Sequence, residues 1–163
     1  MTLAPKHHIL HPGDVACAER GDQMETLLGS CVAIVLTDPR HTIAVMCHFV
    51  HSCTATDARA TDCQYAEVAL STMYGLLYDR GINPLLCVAY VYGGGNMFSK
   101  IYQAPHVGES NLRWALAALA EDGIKVLVED VGGTCYRRVK WTVGHELPSV
   151  TAVETAMYDP NKN

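Results

Sequence analysis

Two neighbouring segments, residues 31–36 and 42–50, are apolar at both alternating sets of positions, and this pattern constrains the fold strongly. A strand with one face in solvent alternates apolar and polar residues, whereas a strand covered on both faces does not. The residues between the segments include Asp38 and Pro39, which favour a tight turn. The sequence therefore predicts a β-hairpin buried between two layers of the protein.

The rest of the chain alternates predicted strands with two predicted helices. Apolar residues recur at helical spacing over residues 66–77, after a predicted capping box at 61–64, and again over residues 112–119. Gly81 and Gly123 are the predicted helix stops. Three further strands are predicted at residues 85–92, 124–129 and 136–143. This order favours an α+β fold with mixed sheets over a doubly wound parallel sheet.

The size of the chain fits one domain. With 163 residues, of which 49% are hydrophobic, it can bury a full core without disulfide bonds or metal ions. We therefore expect a single domain over residues 1–163, with flexible ends at 1–12 and 155–163. The N-terminal 25 residues are expected to be loosely held and to contain one edge strand.

Charge and cysteine content limit the possible partners and compartment. The net charge is −5, and the 12 lysines and arginines are spread along the chain with Arg137 and Arg138 as the one adjacent pair, so we expect no nucleic-acid partner. No apolar run reaches the roughly 18 to 20 residues that cross a bilayer, which excludes membrane insertion. The seven cysteines form no CxxC pair, and no signal-like segment precedes them. These features predict a soluble protein of the reducing cytoplasm.

Cys31 opens the first buried segment directly after Gly29 and Ser30. A free cysteine is commonly a small buried hydrophobic residue, so packing is one interpretation. A Gly-Ser pair, however, permits a sharp turn that brings backbone N–H groups close to the sulfur, where they would lower the thiol pKa and bind an oxyanion. We therefore predict that Cys31 is a nucleophile and that Ser30 and Gly29 provide backbone support for the oxyanion.

A thiol nucleophile needs a base, and His48 is the best-placed candidate. In the predicted hairpin, this residue folds back near the start of the first strand. A core histidine with its hydrogen bonds satisfied is the alternative interpretation. The hydroxyl of Thr26 would hold the imidazole in one tautomer, although threonine is also simply common at strand starts.

Cys47, His51 and Cys53 lie close together in sequence and suggest a competing zinc site. Alternation along a strand places Cys47 and His48 on opposite faces, which argues against joint ligation. We therefore expect neither a metal ion nor an organic cofactor.

Two glycine-rich segments predict tight backbone turns. Residues 93–96 lack the spacing of phosphate-binding loops, and no predicted helix follows them directly. They predict a tight loop that lets backbone pass close to the site or to a partner. Residues 130–134 predict a turn whose glycines adopt positive φ.

Five parts of the sequence together resemble one known family. They are residues 26–32 (TLLGSCV), His48, residues 92–98 (YGGGNMF), residues 107–111 (VGESN) and residues 129–134 (EDVGGT). In this combination the chain resembles the chemoreceptor glutamine deamidase family, CheD, over about residues 10–150. The family pattern has an Arg-Tyr pair where this chain has Gln64 and Tyr65, a change outside the predicted triad.

The resemblance implies an enzyme of bacterial or archaeal chemotaxis that hydrolyses glutamine side chains of methyl-accepting chemoreceptors to glutamate. Ammonia would be released through a cysteine thioester, with Cys31 as nucleophile, His48 as base and Thr26 completing the triad. The implied fold is a layered α/β/β sandwich, similar to the catalytic fold of deamidating toxins of the cytotoxic necrotizing factor type. The implied partners are the receptors and a CheC-type phosphatase that lowers activity.

A different class of function is also compatible with these residues. A catalytically silent module of the same fold would dock on receptors or on the phosphatase and would use Cys31 only for packing.

Overall fold

The structure is a computed structural model that describes residues 3–101 and 106–153. Within these residues the helices are α1 (Ala66–Asp79) and α2 (Val107–Glu121), and short 3-10 helices occur at Asp57–Arg59 and Pro84–Leu86. The strands are β1 (His7–Leu10), β2 (Val15–Glu19), β3 (Gln23–Leu28), β4 (Val32–Thr37), β5 (Ile43–Cys47), β6 (Val88–Gly93), β7 (Lys125–Val131), β8 (Tyr136–Thr142) and β9 (Ser149–Val153). Neither described helix has the length and apolar character that a bilayer crossing requires.

The strands form two mixed sheets. The five-stranded sheet has the order β2-β5-β4-β6-β7, in which only the β6–β7 pair is parallel. The four-stranded sheet has the order β1-β3-β8-β9, in which only the β1–β3 pair is parallel. The predicted α+β class and the predicted hairpin, β4–β5, are therefore confirmed.

The five-stranded sheet is the middle layer of the molecule. Val32, Ile34 and Leu36 of β4 pack on one side, in a core that includes buried residues of both helices. Ala33 and Val35 pack on the other side, in a core shared with the four-stranded sheet. We call these the helix-side core and the inter-sheet core. Every residue of β4 is buried, which confirms the prediction of a strand covered on both faces.

The N-terminal segment is more regular than the sequence predicted. It contributes three strands rather than one edge strand, and β1 lies within residues 1–12, where a flexible end was expected. These strands are short, and β1 and β2 show no clear alternation of apolar and polar residues, whereas the alternating burial of β3 was not recognised. They are held instead by distant partners, because β2 pairs with β5 and β3 pairs with β8. The other predicted flexible end, 155–163, lies outside the described residues.

Two predicted boundaries are wrong. The residues expected to cap α1 form a turn in which the Asp62 carboxylate accepts the Gln64 N–H at 2.9 Å. The helix begins later, after Tyr65, whose side chain makes no capping bond. The start of β6 also shifts, because Asn83 accepts the Leu85 N–H and begins a 3-10 turn before the strand. The predicted stops Gly81 and Gly123 follow the helices, with φ of 73° and 70°.

Candidate active site

Thr26 and His48 meet between the two sheets. Thr26 Oγ1 lies 2.7 Å from His48 Nδ1 and donates to the Leu10 carbonyl at 2.8 Å. A carbonyl only accepts, and the hydroxyl has one proton, so the threonine oxygen accepts from Nδ1–H. This assigns the neutral tautomer with an unprotonated Nε2. The structure thus brings together two of the three predicted triad residues and leaves His48 with a free acceptor nitrogen.

Burial keeps His48 neutral. The residue is only 2% exposed, and burial lowers its pKa to about 4, while Asp14 opposes this effect and His11 adds to it. The backbone at His48 is fixed on both sides, since its N–H donates to Asp14 O at 3.1 Å and its carbonyl accepts from Gly13 N–H at 2.8 Å. A cleft of about 340 Å³ reaches both Thr26 and His48. At neutral pH, His48 is therefore a fixed, uncharged acceptor beside a cleft.

Cys31 and His48 face the same side of the five-stranded sheet. Val32, the first residue of β4, and Phe49, just after β5, exchange backbone hydrogen bonds of 3.1 and 3.0 Å and belong to the helix-side core. The residues preceding each of them point to the opposite face, and Cys31 packs against the inter-sheet core. This register makes Cys31 and His48 diagonal neighbours, which lie within about 7–8 Å in an antiparallel pair.

The thiol of Cys31 is neutral at rest. Burial raises its pKa, and its own backbone N–H offsets this only in part. The predicted lowering of the thiol pKa by nearby N–H groups is wrong in its net direction, because desolvation of the thiolate is the larger effect. The candidate pair is thus a thiol and a neutral imidazole.

Residues 29–31, here called the nucleophile loop, are held by hydrogen bonds to all three of their carbonyls. Gly95 N–H donates to Gly29 O at 3.0 Å, and Gly94 N–H donates to Cys31 O at 2.9 Å. Asn111 Nδ2 donates to Ser30 O at 3.1 Å. Among the described residues, no backbone carbonyl accepts the Ser30 or Cys31 N–H. The Cys31 N–H interacts with its own thiol, so we expect both N–H groups to meet a ligand that binds at the sulfur.

The glycine-rich loop after β6 passes directly behind Cys31. Gly93 has φ +106°, and a Cβ there would lie well inside 3.0 Å of the Cys31 carbonyl. Only glycine permits this approach. The predicted tight loop close to the site is therefore confirmed. The predicted turn at 130–134 is also confirmed, with φ of 75° at Gly132 and 70° at Gly133.

Sequence reasoning assigned no role to two polar residues near the nucleophile loop, although Asn111 lies in the 107–111 segment that carries the family resemblance. Asn111 is 1% exposed and shares the buried stripe of α2 with Ala115 and Leu119. An amide at an apolar position of a helical repeat was the available signal. Arg137 on β8 donates from Nε to Asp130 at 2.9 Å and braces the turn at 130–134. Its signal was weaker, because β8 carries three basic residues and the sequence does not distinguish Arg137 from Arg138 and Lys140.

The competing zinc site is not assembled. Cys47 lies in the helix-side core, whereas His51 and Cys53 are exposed. In the described part of the chain, no three His, Cys, Asp or Glu side chains form a group able to hold a metal ion. The complete burial of Cys47 separates it from the two exposed residues and explains this result.

Comparison with known sequences identifies the family. The sequence model described as CheD chemotactic sensory transduction matches residues 51–146. The chain belongs to the CheD family. A probable chemoreceptor glutamine deamidase CheD of Pseudomonas syringae pv. syringae is 33% identical over 134 residues, covering 80% of this chain and 76% of the relative. A probable chemoreceptor glutamine deamidase CheD 2 of Albidiferax ferrireducens is 34% identical over 140 residues, covering 83% of this chain and 81% of the relative.

One solved structure outside the CheD names shows a weak likeness. The crystal structure of Bacillus licheniformis hypothetical protein YfiH matches with a TM-score of 0.40 and 17% identity, covering 71% of this chain and 49% of that one. At this level the likeness carries no argument about fold or function.

Proposed function

We propose that this CheD-family protein is a protein-glutamine deamidase that converts glutamine side chains of methyl-accepting chemoreceptors to glutamate. The observation that carries the proposal is the Thr26–His48 hydrogen bond, which leaves Nε2 free on the face that Cys31 shares. The relatives named as probable chemoreceptor glutamine deamidases supply the substrate class. The setting we infer is the cytoplasm of a chemotactic bacterium or archaeon.

The first half-reaction forms a thioester. Cys31 Sγ attacks the carboxamide carbon while its proton passes to His48 Nε2, and the carbonyl electron pair moves to oxygen. The N–H groups of Ser30 and Cys31 bind this oxyanion, and each such donor is worth about 3 to 4 kcal/mol in the transition state. The intermediate collapses, the C–N bond breaks, and ammonia leaves with the proton from His48.

The second half-reaction releases glutamate. A water molecule from the cleft beside His48 attacks the thioester carbon and gives its proton to Nε2. The C–S bond breaks, and the departing sulfur is reprotonated by His48. The net reaction consumes one water and produces glutamate and ammonia. Because both resting groups are neutral, the thiol proton moves together with the attack rather than before it.

The direct test is to incubate the protein with cytoplasmic fragments of chemoreceptors from the same source. Mass spectrometry of the digested fragments should show glutamines that gain the mass difference between NH2 and OH. Absence of any such glutamine, with a well-folded protein and a full set of receptor fragments, would contradict the proposal.

A catalytically silent module of the same fold is the second candidate. The raised pKa of the Cys31 thiol favours it, because a structural cysteine is also expected to be protonated. Slow alkylation at neutral pH is expected in both cases, so thiol labelling alone does not separate them. Conversion of receptor glutamines does.

Two finer features remain predictions. We infer a CheC-type phosphatase as a second partner, which would lower deamidase activity. We also infer that the layering of two helices on two mixed sheets resembles the catalytic fold of the cytotoxic necrotizing factor toxins. Co-purification with the phosphatase and superposition on a toxin catalytic domain test these points.

Thr26→Val should lower kcat by about 10- to 100-fold, because the base loses the acceptor that fixes its tautomer. Thr26→Ser keeps the hydroxyl and should retain most of the activity. Thr37→Val is the matched control, since its buried hydroxyl donates to the Ile43 carbonyl at 2.8 Å and touches no histidine. Equal activity loss in the Thr37 and Thr26 valine variants would show that lost stability, rather than the tautomer, is responsible.

The pKa of His48 also predicts how stability depends on pH. The folded-state pKa is about 4 and the ordinary value is 6.5. As the pH falls, the unfolded chain therefore binds the extra proton at a higher pH than the folded protein does. The corresponding stability is fully present above pH 6.5 and is lost as pH falls toward 4, by about 3 kcal/mol in total. Urea unfolding at several pH values should show this loss in the wild type. His48→Gln should lack it, and parallel curves for the two proteins would contradict the prediction.

A further inference from the structure

Asn111 holds the nucleophile loop from the helix layer. We propose that it is a positioning residue for the deamidation reaction: by binding the Ser30 carbonyl, its amide aims the Cys31 N–H at the space that Cys31 and His48 share. This inference rests on the proposed function, because it gives that N–H the role of oxyanion donor. It concerns the orientation of one peptide group and not contact between Asn111 and the substrate.

The amide of Asn111 connects two segments that are distant in sequence. Nδ2 donates to Ser30 O at 3.1 Å and to Val50 O at 2.9 Å. Both amide protons are therefore used, and the residue is only 1% exposed. Val50 lies opposite Cys31 in the register of the Val32–Phe49 bridge. One side chain thus ties the nucleophile loop to the segment that follows His48.

Because the peptide group is rigid, the hydrogen bond to the Ser30 carbonyl also fixes the direction of the Cys31 N–H. In a trans peptide the C=O of one residue and the N–H of the next point in opposite directions. The Ser30 carbonyl points to Asn111 on α2, in the helix layer, so the Cys31 N–H points away from that layer. The opposite side is the inter-sheet core, against which Cys31 packs. The effect of the Cys31 N–H on its own thiol agrees with this direction.

The other bonds of the loop do not replace this one. The N–H groups of Gly95 and Gly94 hold the Gly29 and Cys31 carbonyls, which fixes the two flanking peptides. Among the described residues, Asn111 is the one protein donor to the Ser30 carbonyl. Without its amide, the Ser30–Cys31 peptide would be free to rotate between two fixed neighbours.

The test compares variants that remove the amide donors with controls that do not. Asn111→Ala removes the side chain, and Asn111→Asp keeps its shape but has no N–H. Asn83→Ala is the matched asparagine control, because its side chain caps the 3-10 turn at Leu85. Ala115→Gly weakens α2 without touching the loop. Asn111→Ser is a milder change that keeps the test valid if either larger change prevents folding.

The first readout is deamidation of the receptor fragments. We expect the Asn111 variants to lose about 100-fold in kcat, as for one misaligned oxyanion donor, with KM within about threefold of wild type. The Asn83 and Ala115 controls should keep wild-type kcat at temperatures below their unfolding transitions. A wild-type kcat in the Asn111 variants would overturn the inference.

The second readout needs no receptor. Iodoacetamide alkylates the sulfur without forming an oxyanion, whereas butanal adds reversibly to give a hemithioacetal whose oxygen occupies the oxyanion position. Peptide-resolved mass spectrometry measures alkylation of Cys31 and its protection by butanal. We expect the Asn111 variants to weaken butanal protection about tenfold or more and to change the alkylation rate by less than about threefold. A parallel change in both would indicate general loosening of the loop and would overturn the inference.

The two readouts separate failure of this inference from failure of the proposed function. If the wild type converts no receptor glutamine, the proposed function fails, while butanal protection still tests the aim of the Cys31 N–H. If the wild type is active and the Asn111 variants match it in both readouts, only the positioning role fails.

Discussion

Cys31→Ala should reduce deamidation of receptor fragments by about 10⁴-fold or more, because among the described residues the inter-sheet core contains no second cysteine to form the proposed thioester. The side chain is small and half-buried, so the variant should fold and bind receptors as the wild type does. The rate should be followed by mass spectrometry of the modified glutamines, and the thioester intermediate should be absent when the reaction is quenched with acid.

Cys17→Ala is the matched control for this experiment. Its thiol is also half-buried, and burial likewise raises its pKa, but it packs against the helix-side core. Wild-type activity is expected in this variant. The two cysteines share partial burial and a raised pKa and differ in the face of the sheet that they occupy. Comparing the two alanine variants therefore tests whether the position of Cys31 is what matters for activity. Full activity in Cys31→Ala would refute the nucleophile assignment and would leave the silent module as the better description.

His48→Gln should reduce kcat by about 10³-fold, within the range of general acid–base catalysis. A glutamine can still hydrogen bond to Thr26, but at neutral pH it neither takes the thiol proton nor returns it to ammonia. Both half-reactions use this proton transfer, so kcat should fall with little change in KM. Combining the change with Cys31→Ala should add almost nothing, because the two residues act as one unit.

His51→Gln is the control for the histidine prediction. This residue lies three positions after His48, is exposed, and packs its ring against Tyr65 with a centroid distance of 5.0 Å. Its replacement should leave kcat within about twofold of wild type, since surface changes have small effects. If both histidine variants lost the same activity, the Nε2 of His48 would not be the specific proton acceptor.

The buried hairpin was predictable because its signal is local. Apolar residues on both faces of residues 31–36 require a layer on each side, and period-two alternation then separates Cys47 from His48. The short polar turn between the strands sets their antiparallel pairing. These three local facts are sufficient to bring Cys31 and His48 to one face, so this part of the site follows from the sequence.

The four-stranded sheet was harder to predict because its strands come from both ends of the chain. β3 pairs with β8, and the Glu25–Lys140 pair joins residues far apart in sequence. Burial of the site depends on this sheet, and that burial determines the pKa directions of Cys31 and His48. For the same reason, the sequence alone made Thr26 only a weak candidate for the triad, and the family resemblance strengthened it.

The carbonyl of Leu10 has a consequence for how this site is inherited. Any amino acid at position 10 supplies the same backbone oxygen. An alignment of related sequences would therefore not reveal the group that accepts the threonine proton. It is encoded in the parallel register that sets Leu10 beside Thr26. A slip of β1 by one residue would turn that oxygen away from Thr26, and the hydroxyl could then donate to Nδ1. The imidazole proton would move to Nε2. His48 could then no longer accept the thiol proton, although no proposed catalytic residue had changed.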